Sequence, residues 1–549
     1  MTKPTTHLRT AIAIAALFCG ACGDRPGFWD APFSAGPSDT TTRSVGLTGS
    51  VAVLDPALNR VTMLTSARPL ELESHQFGVG RGVASIQTSH DRSRLFVLSR
   101  GIVPRFKVTD EGPKLVVLDG GTAPSVLRTY SEFSDPFDQV DVDPLGRWLV
   151  VRGTEGVVTN PNELILIDLQ NLDAPPVPKT LSSLGGKPST LTFTSELNVP
   201  GLGPRRLLVV SRETDIALID LEDPSRNEIT VQLPDTAAGQ VGRPVKVVFH
   251  DATETQPNPW LAIQIANDGG VFLLEIAPSD SAEQPIAVNP SIAEVGGVPA
   301  TIDFVMTDGG LRLAALLQSK VVAGVSQPTA VLVDPATSLT DDVRLPSAYT
   351  GIARITDAVA PTATGTDVAL LYGSAPTIAF WALGRTTGTP YRSIDAYDID
   401  VPVNSVIDVP GETFFDHKIL KGIGGSGGSQ AQFYVLDLGQ RLSFPMEALS
   451  DLTLDVAPDG QRLWGYRSGT NQFARLTFDD LHPISLYTER MIRAVYDIAT
   501  ASGERSLVAL HMGTATAQEV GLGATLFDAL APDTTRTRFV SGLSFGGQP

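Results

Sequence analysis

Cys19 and Cys22 are the residues of this chain with the most distinctive chemistry, since they are its only cysteines among 549 residues. A Cys-x-x-Cys pair in a folded domain serves as a redox pair or as half of a zinc site. Here no second cysteine pair exists, and the motif directly follows the apolar run 11–18. The spacing therefore disfavours both uses, and we expect neither a metal site nor a cofactor.

The segment before Cys22 has the features of a secretory signal. Lys3 and Arg9 precede the apolar run, no acidic residue occurs before Cys22, and the run is too short to span a bilayer. We therefore assign residues 1–21 to a signal peptide.

The small pair Gly20-Ala21 directly before Cys22 resembles the lipobox of bacterial lipoproteins. The resemblance implies that the Cys22 thiol receives a diacylglycerol and becomes the mature N-terminus, and that a further acyl chain makes the attachment stable. The motif departs from the family at Cys19, where Leu is usual. Cleavage of the same bond by an ordinary signal peptidase is the alternative.

Composition limits the partners of the exported chain. Its net charge is -19, from 60 acidic and 41 basic residues, so phosphate backbones are repelled and we expect no nucleic-acid partner. Beyond the signal, no apolar stretch approaches the roughly 20 residues of a spanning helix. The lipid on Cys22 is then the membrane contact. We expect a monomeric cell-envelope lipoprotein of the outer membrane, facing the periplasm or the surface.

Residues 22–46 are rich in Pro, Gly, Ser, Thr and Asp and have no periodicity, which predicts a flexible tether. The alternative is that Phe28, Trp29 and Phe33 dock on the folded body or on lipid headgroups.

A short apolar run that ends in Asp recurs along the rest of the chain. Clear copies end at Asp55, Asp119, Asp168, Asp220, Asp334 and Asp437, and weaker ones fill the gaps. A second apolar run precedes most copies in the same phase, behind a turn of Asp, Pro or Gly residues. Each unit thus predicts a four-stranded antiparallel sheet whose apolar middle strands are buried on both faces. No convincing helix is predicted.

Two of these turns resemble the repeat of bacterial YVTN-type β-propellers: Asp143-Pro144-Leu145-Gly146, before Arg147-Trp148, and Ala457-Pro458-Asp459-Gly460. The resemblance implies an all-β fold, a single closed β-propeller of four-stranded blades over residues 47–549. Nine fairly complete units and a leading half-unit at 51–64 are visible. Eight is our predicted blade number, with seven and nine as alternatives, because known closed propellers mostly have four to eight blades.

Apparent catalytic motifs do not suit this fold. Residues 422–427 match the dinucleotide fingerprint Gly-x-Gly-x-x-Gly, but a strand is predicted after them where the fingerprint needs a helix. Residues 424–428 and 542–546 match Gly-x-Ser-x-Gly without the strand and helix of a nucleophile elbow. We interpret all three as loops or tail.

Histidines and aspartates offer weak metal candidates. His90 and His250 each precede an Asp at a turn, and we interpret them as capped turn residues rather than as a shared metal site. Two Asp-rich stretches contain oxygen ligands of the kind calcium prefers but lack the Gly and the closing Glu of a recognised loop. They consist of Asp138, Asp141 and Asp143, and of Asp395, Asp398 and Asp400. Solvated turn residues are the favoured interpretation.

Arg100, Arg152, Arg212 and Arg467 all end the second strand of their units. In a closed propeller they gather toward one face, where a ring of guanidinium groups would bind an anionic ligand at the channel mouth. The alternative is local pairing, for example of Arg152 with Glu163 and of Arg212 with Asp215.

Two classes of function follow. The first is a lipid-anchored, non-enzymatic propeller that binds or scaffolds a protein or glycan partner in the envelope. The second is a propeller enzyme of lactonase-like or quinone-cofactor type with its site at the central channel. No carboxylate, histidine or metal motif supports the enzyme, so we expect the first class.

Overall fold

The computed structural model describes residues 43–55, 58–103, 107, 110–131, 133, 135–153, 163–182, 187–236, 239–355, 368–384, 393–409, 416–422, 430–438, 442–449, 453–479, 484–511 and 523–540. These residues form strands and connections and contain no helix, and the prediction of an all-β fold is confirmed. Among them, accordingly, is no helix that could span a membrane.

The strands form ten successive four-stranded antiparallel units, which we call blades 1 to 10 in chain order. Blade 1 contains β1 (Arg43–Gly46), β2 (Ser50–Asp55), β3 (Arg60–Thr65) and β4 (Glu73–Gly78). Blade 2 contains β5 (Val83–Thr88), β6 (Arg94–Ser99), β7 (Lys114–Asp119) and β8 (Val126–Tyr130). Blade 3 contains β9 (Gln139–Val142), β10 (Trp148–Arg152), β11 (Glu163–Asp168) and β12 (Val177–Thr180). Blade 4 contains β13 (Thr190–Phe193), β16 (Leu207–Ser211), β17 (Asp215–Asp220) and β18 (Ile229–Gln232), with an inserted hairpin of β14 (Leu197–Val199) and β15 (Gly203–Arg205). Blade 5 contains β19 (Pro244–His250), β20 (Trp260–Ile265), β21 (Gly270–Pro278) and β22 (Ile286–Glu294).

The second half of the chain repeats the arrangement. Blade 6 contains β23 (Thr301–Thr307), β24 (Gly310–Val322), β25 (Val325–Val333) and β26 (Thr340–Arg344). Blade 7 contains β27 (Gly351–Ile355), β28 (Val368–Tyr372), β29 (Thr377–Ala382) and β30 (Ser393–Asp398). Blade 8 contains β31 (Val403–Asp408), β32 (His417–Gly422), β33 (Gln430–Asp437) and β34 (Leu442–Leu449). Blades 9 and 10 form one seven-stranded sheet of β35 (Thr453–Val456), β36 (Arg462–Tyr466), β37 (Thr470–Thr477), β38 (Ile484–Ala499), β39 (Arg505–His511), β40 (Ala524–Asp528) and β41 (Arg538–Val540).

The seven-stranded sheet arises because β38 belongs to two blades. Residues 484–487 pair with β37 as the outer strand of blade 9, and residues 492–499 pair with β39 as the inner strand of blade 10. The register shifts between Ile492 and Ala494. One long strand thus serves both as the outer strand of one blade and as the inner strand of the next, whereas two separate strands have these roles elsewhere in the ring.

Within the described residues, ten apolar clusters lie between the blades, one for each neighbouring pair. For example, Phe96 and Leu98 of blade 2 pack with Leu149 and Val151 of blade 3. The tenth cluster joins the two ends of the described chain, with Val51 and other blade 1 residues against the apolar face of blade 10. Because every blade has both faces covered and the last packs on the first, the structure is a single closed β-propeller.

The ends of the ring are also joined by hydrogen bonds. The backbone N–H of Ala499 donates to the carbonyl of Thr48 at 2.8 Å, and that of Ala501 donates to Ser66 at 3.0 Å. The first strands of successive blades contact one another, for example β5 with β9 and β19 with β23. These first strands are therefore the innermost strands, and they surround the central channel.

The N-terminal part of the ring departs from expectation. Residues 43–46, which we had assigned to the tether, form β1, and the half-unit at 51–64 belongs to a complete blade. The prediction of eight blades is not confirmed, since ten four-stranded units are present in the described residues. Asp55 ends the second strand of blade 1, not the third as in the other clear copies.

The recurring Asp has a local cause. At the end of a third strand its carboxylate accepts a hydrogen bond from the backbone N–H two residues later, which starts the turn to the outer strand. Such bonds join Asp119 to Gly121, Asp168 to Gln170, Asp220 to Glu222, Asp334 to Ala336 and Asp528 to Leu530, at 2.8 to 3.0 Å. The predicted turns at Gly146 and Gly460 are also confirmed, with φ of +72° and +68°.

Candidate functional site

The four candidate anion-binding arginines lie, as predicted, at the ends of second strands or directly after them. Arg152 is the last residue of β10, and Arg100, Arg212 and Arg467 follow β6, β16 and β36. Arg467 is exposed in the turn before β37.

The guanidinium groups of Arg100, Arg152 and Arg212 are ion-paired. Arg100 Nη2 lies 3.0 Å from Asp138 of the next blade, and Arg152 Nε lies 2.7 Å from Asp141. Arg212 has no exposed side-chain surface, and its Nε lies 2.7 Å from Asp215 Oδ1. An anion at these positions would have to displace carboxylates, and anion binding stays a prediction.

These pairs also account for the first Asp-rich stretch. Asp138 accepts from Arg100 and Asp141 from Arg152, while the fully buried Asp143 accepts from Arg206 Nη2 and from the backbone N–H of Leu145. The hydrogen bonds from Arg206 and the backbone lower the pKa of Asp143 against the opposing effect of burial. In this first stretch the possible calcium ligands are thus the partners of arginines. The interpretation of Asp138 and Asp143 as solvated turn residues is wrong, since only 7% and 0% of their side chains are exposed.

Other sequence candidates are not brought together. Asp395, Asp398 and Asp400 are exposed along and just after the outer strand of blade 7. His90 and His250 belong to blades 2 and 5. Within the described part of the chain, no three His, Cys, Asp or Glu side chains are grouped to hold a metal.

The motif matches have separate outcomes. Gly422 ends β32, and the next described element is the strand β33, as predicted for a segment that is not a dinucleotide site. Residues 423–429 and 542–546 lie outside the described residues, as do Cys22 and the signal peptide.

Three carboxylates occupy the same position in the channel wall. Asp141, Asp303 and Asp455 are each the third residue of the inner strand, in blades 3, 6 and 9. Burial raises the pKa of Asp303 and of Asp455, and basic neighbours partly oppose the rise, Lys246 for Asp303 and Arg92 for Asp455.

Asp303 lies in a cluster of titratable groups on blades 5 to 7. Burial lowers the pKa of Lys246, and the negative charge of Asp303 partly opposes this shift. Burial and the charge of Asp303 both raise the pKa of Tyr372. Perturbed groups of this kind are common at functional sites. The Lys246 ammonium, however, donates to Thr301 Oγ1 and to the Ile302 carbonyl, both at 2.8 Å, and so ties blade 5 to blade 6.

Asp455 belongs to a cavity of about 270 Å³ where the ring closes, which we call the closure cavity. Arg92, in the turn between β5 and β6, reaches from blade 2 to Asp455 of blade 9, with Nη2 2.8 Å from Oδ1. Tyr496 of blade 10 shares a hydrogen bond of 2.9 Å with Ser44 of blade 1, and burial raises the pKa of Tyr496 to about 12. Four blades therefore contribute to one small polar site.

A second cavity of about 260 Å³ lies on the other side of β5, against blade 3. Gln87 and Thr88 line both cavities, and His90, Gln139 and Asp141 complete the polar part of the second. We call the two cavities together the inner groove.

A cavity of about 630 Å³ lies at the outer side of the propeller between blades 2 and 3, and we call it the rim groove. One wall consists of residues 128–131, at the end of the outer strand β8 and just after it. The other wall is the segment 173–178, which leads into β12. Phe133 and Ile165 line its base. The Arg128 guanidinium and Asp173 form an exposed ion pair across it at 2.7 Å, and Tyr130 donates to the Leu172 carbonyl at 2.8 Å.

The inner groove, which includes the closure cavity, was not predicted from the amino-acid sequence. Its residues are separated along the chain, and Arg92 and Asp455 are 363 positions apart. A signal existed: Val140-Asp141-Val142 and Leu454-Asp455-Val456 stand at matching places before the two propeller turns. Alignment of the repeats would have placed both carboxylates on inner strands.

Comparison with known proteins adds little beyond the fold. No family model and no curated protein matches the chain. Among solved structures it is similar to dihydro-heme d1 dehydrogenase NirN in complex with DHE, with 11% identity, TM-score 0.36, and coverage of 82% of this chain and 73% of that one. It is also similar to apo AztD from Citrobacter koseri, with 8% identity, TM-score 0.38, and coverage of 80% and 94%. A eukaryotic initiation factor structure gives 8% identity, TM-score 0.42, and coverage of 91% and 95%. Such distant likeness says nothing about activity, and the propeller assignment depends on the strand order and the ten inter-blade cores.

Proposed function

We propose that this chain is a non-enzymatic binding protein of the cell envelope, held to the membrane by a lipid on Cys22, and that its propeller binds an extended segment of a partner protein in the rim groove. The observation that carries the proposal is the combination of the rim groove with the edge strand β8. This strand is the outer edge of its sheet, and residues 126–129 are exposed.

An extended peptide suits this place for two reasons. An edge strand offers unpaired backbone N–H and C=O groups, to which a peptide can add as a further strand. The opposite wall offers Pro175, Pro176 and Pro178 for apolar contact, and Arg128 and Glu163 can meet polar groups of the peptide. Backbone pairing with aromatic and apolar contacts is a common mode of peptide recognition.

Site-specific photo-crosslinking in intact cells tests the groove. A photoreactive residue at Thr129 in the groove is expected to give a discrete protein adduct. The same residue at Ala396, exposed on the outer strand β30 of blade 7, is the matched control and should give none. Ala174→Trp fills the groove and should abolish the Thr129 adduct, whereas Ala396→Trp should not. Equal adducts at both positions, or an adduct unaffected by Ala174→Trp, would contradict the proposal.

The lipid anchor needs a separate test. Labelled fatty acid is expected to enter the wild-type protein and not Cys22→Ser, and the wild-type protein should fractionate with the outer membrane. Absence of label from both would leave an exported propeller without an anchor. That result would leave the test of the rim groove intact.

A further inference from the structure

We propose that the inner groove is a second binding site, and that its ligand is a neutral oligosaccharide. The inner groove is lined by inner strands and their turns, whereas the rim groove is at the outer side of blades 2 and 3. The two sites are therefore independent.

The polar groups of the inner groove favour an uncharged ligand. Arg92, Asp455 and Asp141 line the groove and are each ion-paired, Arg92 with Asp455 at 2.8 Å and Asp141 with Arg152 at 2.7 Å. His90 also lines the groove, and an imidazole both donates and accepts hydrogen bonds. The ion pairs leave little net charge to attract an ion, but they keep fixed donors and acceptors at the surface. A ligand that both donates and accepts at many positions satisfies such a surface best.

Gln87 and Thr88 provide the uncommitted hydrogen-bonding groups. Gln87 is exposed, Thr88 is half-buried, and neither side chain has a hydrogen bond to another side chain or backbone group among the described residues. An amide carries two donors and an acceptor, and a hydroxyl carries one donor and two acceptor lone pairs. Pairs of neighbouring sugar hydroxyls match this set, because each hydroxyl also donates and accepts.

The shape of the groove favours more than one sugar ring. The cavities of about 270 and 260 Å³ lie on the two sides of β5 and share Gln87 and Thr88. Val45 and Ile86 on one side, and Val142 and Pro144 on the other, offer apolar contacts to the C–H face of a ring. A small number of placed polar groups on an apolar surface is the usual composition of a small-molecule site.

Isothermal titration of the full lipid-anchored protein, in a detergent without sugar headgroups, tests the proposal. The probes are neutral tetrasaccharides of glucose and of N-acetylglucosamine, with a tetramer of galacturonic acid as the anionic comparison. Saturable binding of at least one neutral probe is expected, with affinity at least tenfold lower in Gln87→Ala. Thr88→Val should weaken the same interaction.

Gln76→Ala is the matched control, because Gln76 is an exposed glutamine on the outer strand β4 of blade 1. It should bind as the wild type does. The proposal is overturned if neither neutral probe binds, if the anionic tetramer binds more tightly, or if Gln87→Ala and Gln76→Ala behave alike. None of these outcomes bears on the rim groove, whose crosslinks use other residues.

Discussion

At the residue scale, buried charges join neighbouring blades. Arg206 of blade 4 and Asp143 of blade 3 form a deeply buried pair of this kind, with 4% and 0% of their side chains exposed. Loss of one partner leaves the other charge buried without compensation, which typically costs about 3–5 kcal/mol. We therefore expect Arg206→Ala to lower the free energy of unfolding by that amount in urea titrations. Arg128→Ala, which breaks the exposed pair with Asp173, should change it by less than about 1 kcal/mol.

The same carboxylate predicts a pH dependence. The pKa of Asp143 is lower in the folded protein than its usual value of 3.8, so ionised Asp143 favours the folded state. This stabilisation is complete above the unfolded pKa and is lost as pH falls through the folded pKa. The stability difference between the wild type and Asp143→Asn should accordingly be largest near pH 7 and shrink below about pH 4. A difference that stays constant from pH 7 to pH 3 would contradict the assignment.

Sequence reasoning predicts such pairs only when the partners are close along the chain. The pair of Arg212 and Asp215 was anticipated because the two residues flank one tight hairpin. For Arg152 the sequence suggested Glu163 as the partner, but Arg152 pairs with Asp141. The register between the inner strand β9 and β10 brings Asp141 beside it. Arg92 and Asp455 meet only because the ring closes, and no local pattern encodes that contact.

At the element scale, two inner strands depend on glycine for the close approach of a tyrosine ring. A Cβ at Gly351 would lie 2.2 Å from the Tyr372 ring, and one at Gly46 would lie 2.6 Å from Tyr496. Overpacking of this kind typically costs about 1–3 kcal/mol. We expect Gly351→Ala to lower the free energy of unfolding by that amount. Gly78→Ala, at the end of β4 with nothing within 4 Å of the added Cβ, should be neutral or slightly stabilising.

The periodic apolar runs and their turns predicted the elements of most blades, because a buried strand and its turn are encoded locally. The predicted number of eight blades is not confirmed, since it followed the usual size of closed propellers rather than the nine units and leading half-unit visible in the sequence. Local signals are weakest where the last two blades meet and at the N-terminal end of the ring. Residues 484–496 contain no Gly, Pro, Asn or Asp, so nothing in the sequence separates the outer strand of blade 9 from the inner strand of blade 10. At the other end of the chain, β1 is only four residues long and follows a segment rich in turn residues.

At the scale of the whole molecule, the closed ring makes the two ends of the chain stabilise each other. Val51, Val53 and Leu64 of blade 1 are covered by Val508 and its neighbours in blade 10. A charge placed in this seam should therefore destabilise both blades, although they are the first and the last in the chain. In an open array, by contrast, the damage would stay with the sequence neighbours.

Hydrogen exchange measured by mass spectrometry distinguishes the two cases. In Val508→Asp we expect amide protection to fall in β39 and equally in β2 and β3, since a buried unpaired charge costs several kcal/mol and opens the seam. Val321→Asp is the matched control, because Val321 is 70% exposed near the tip of the hairpin between β24 and β25. It should alter exchange only in blade 6. Loss of protection confined to blades 9 and 10 in Val508→Asp would show that the ring does not couple its ends.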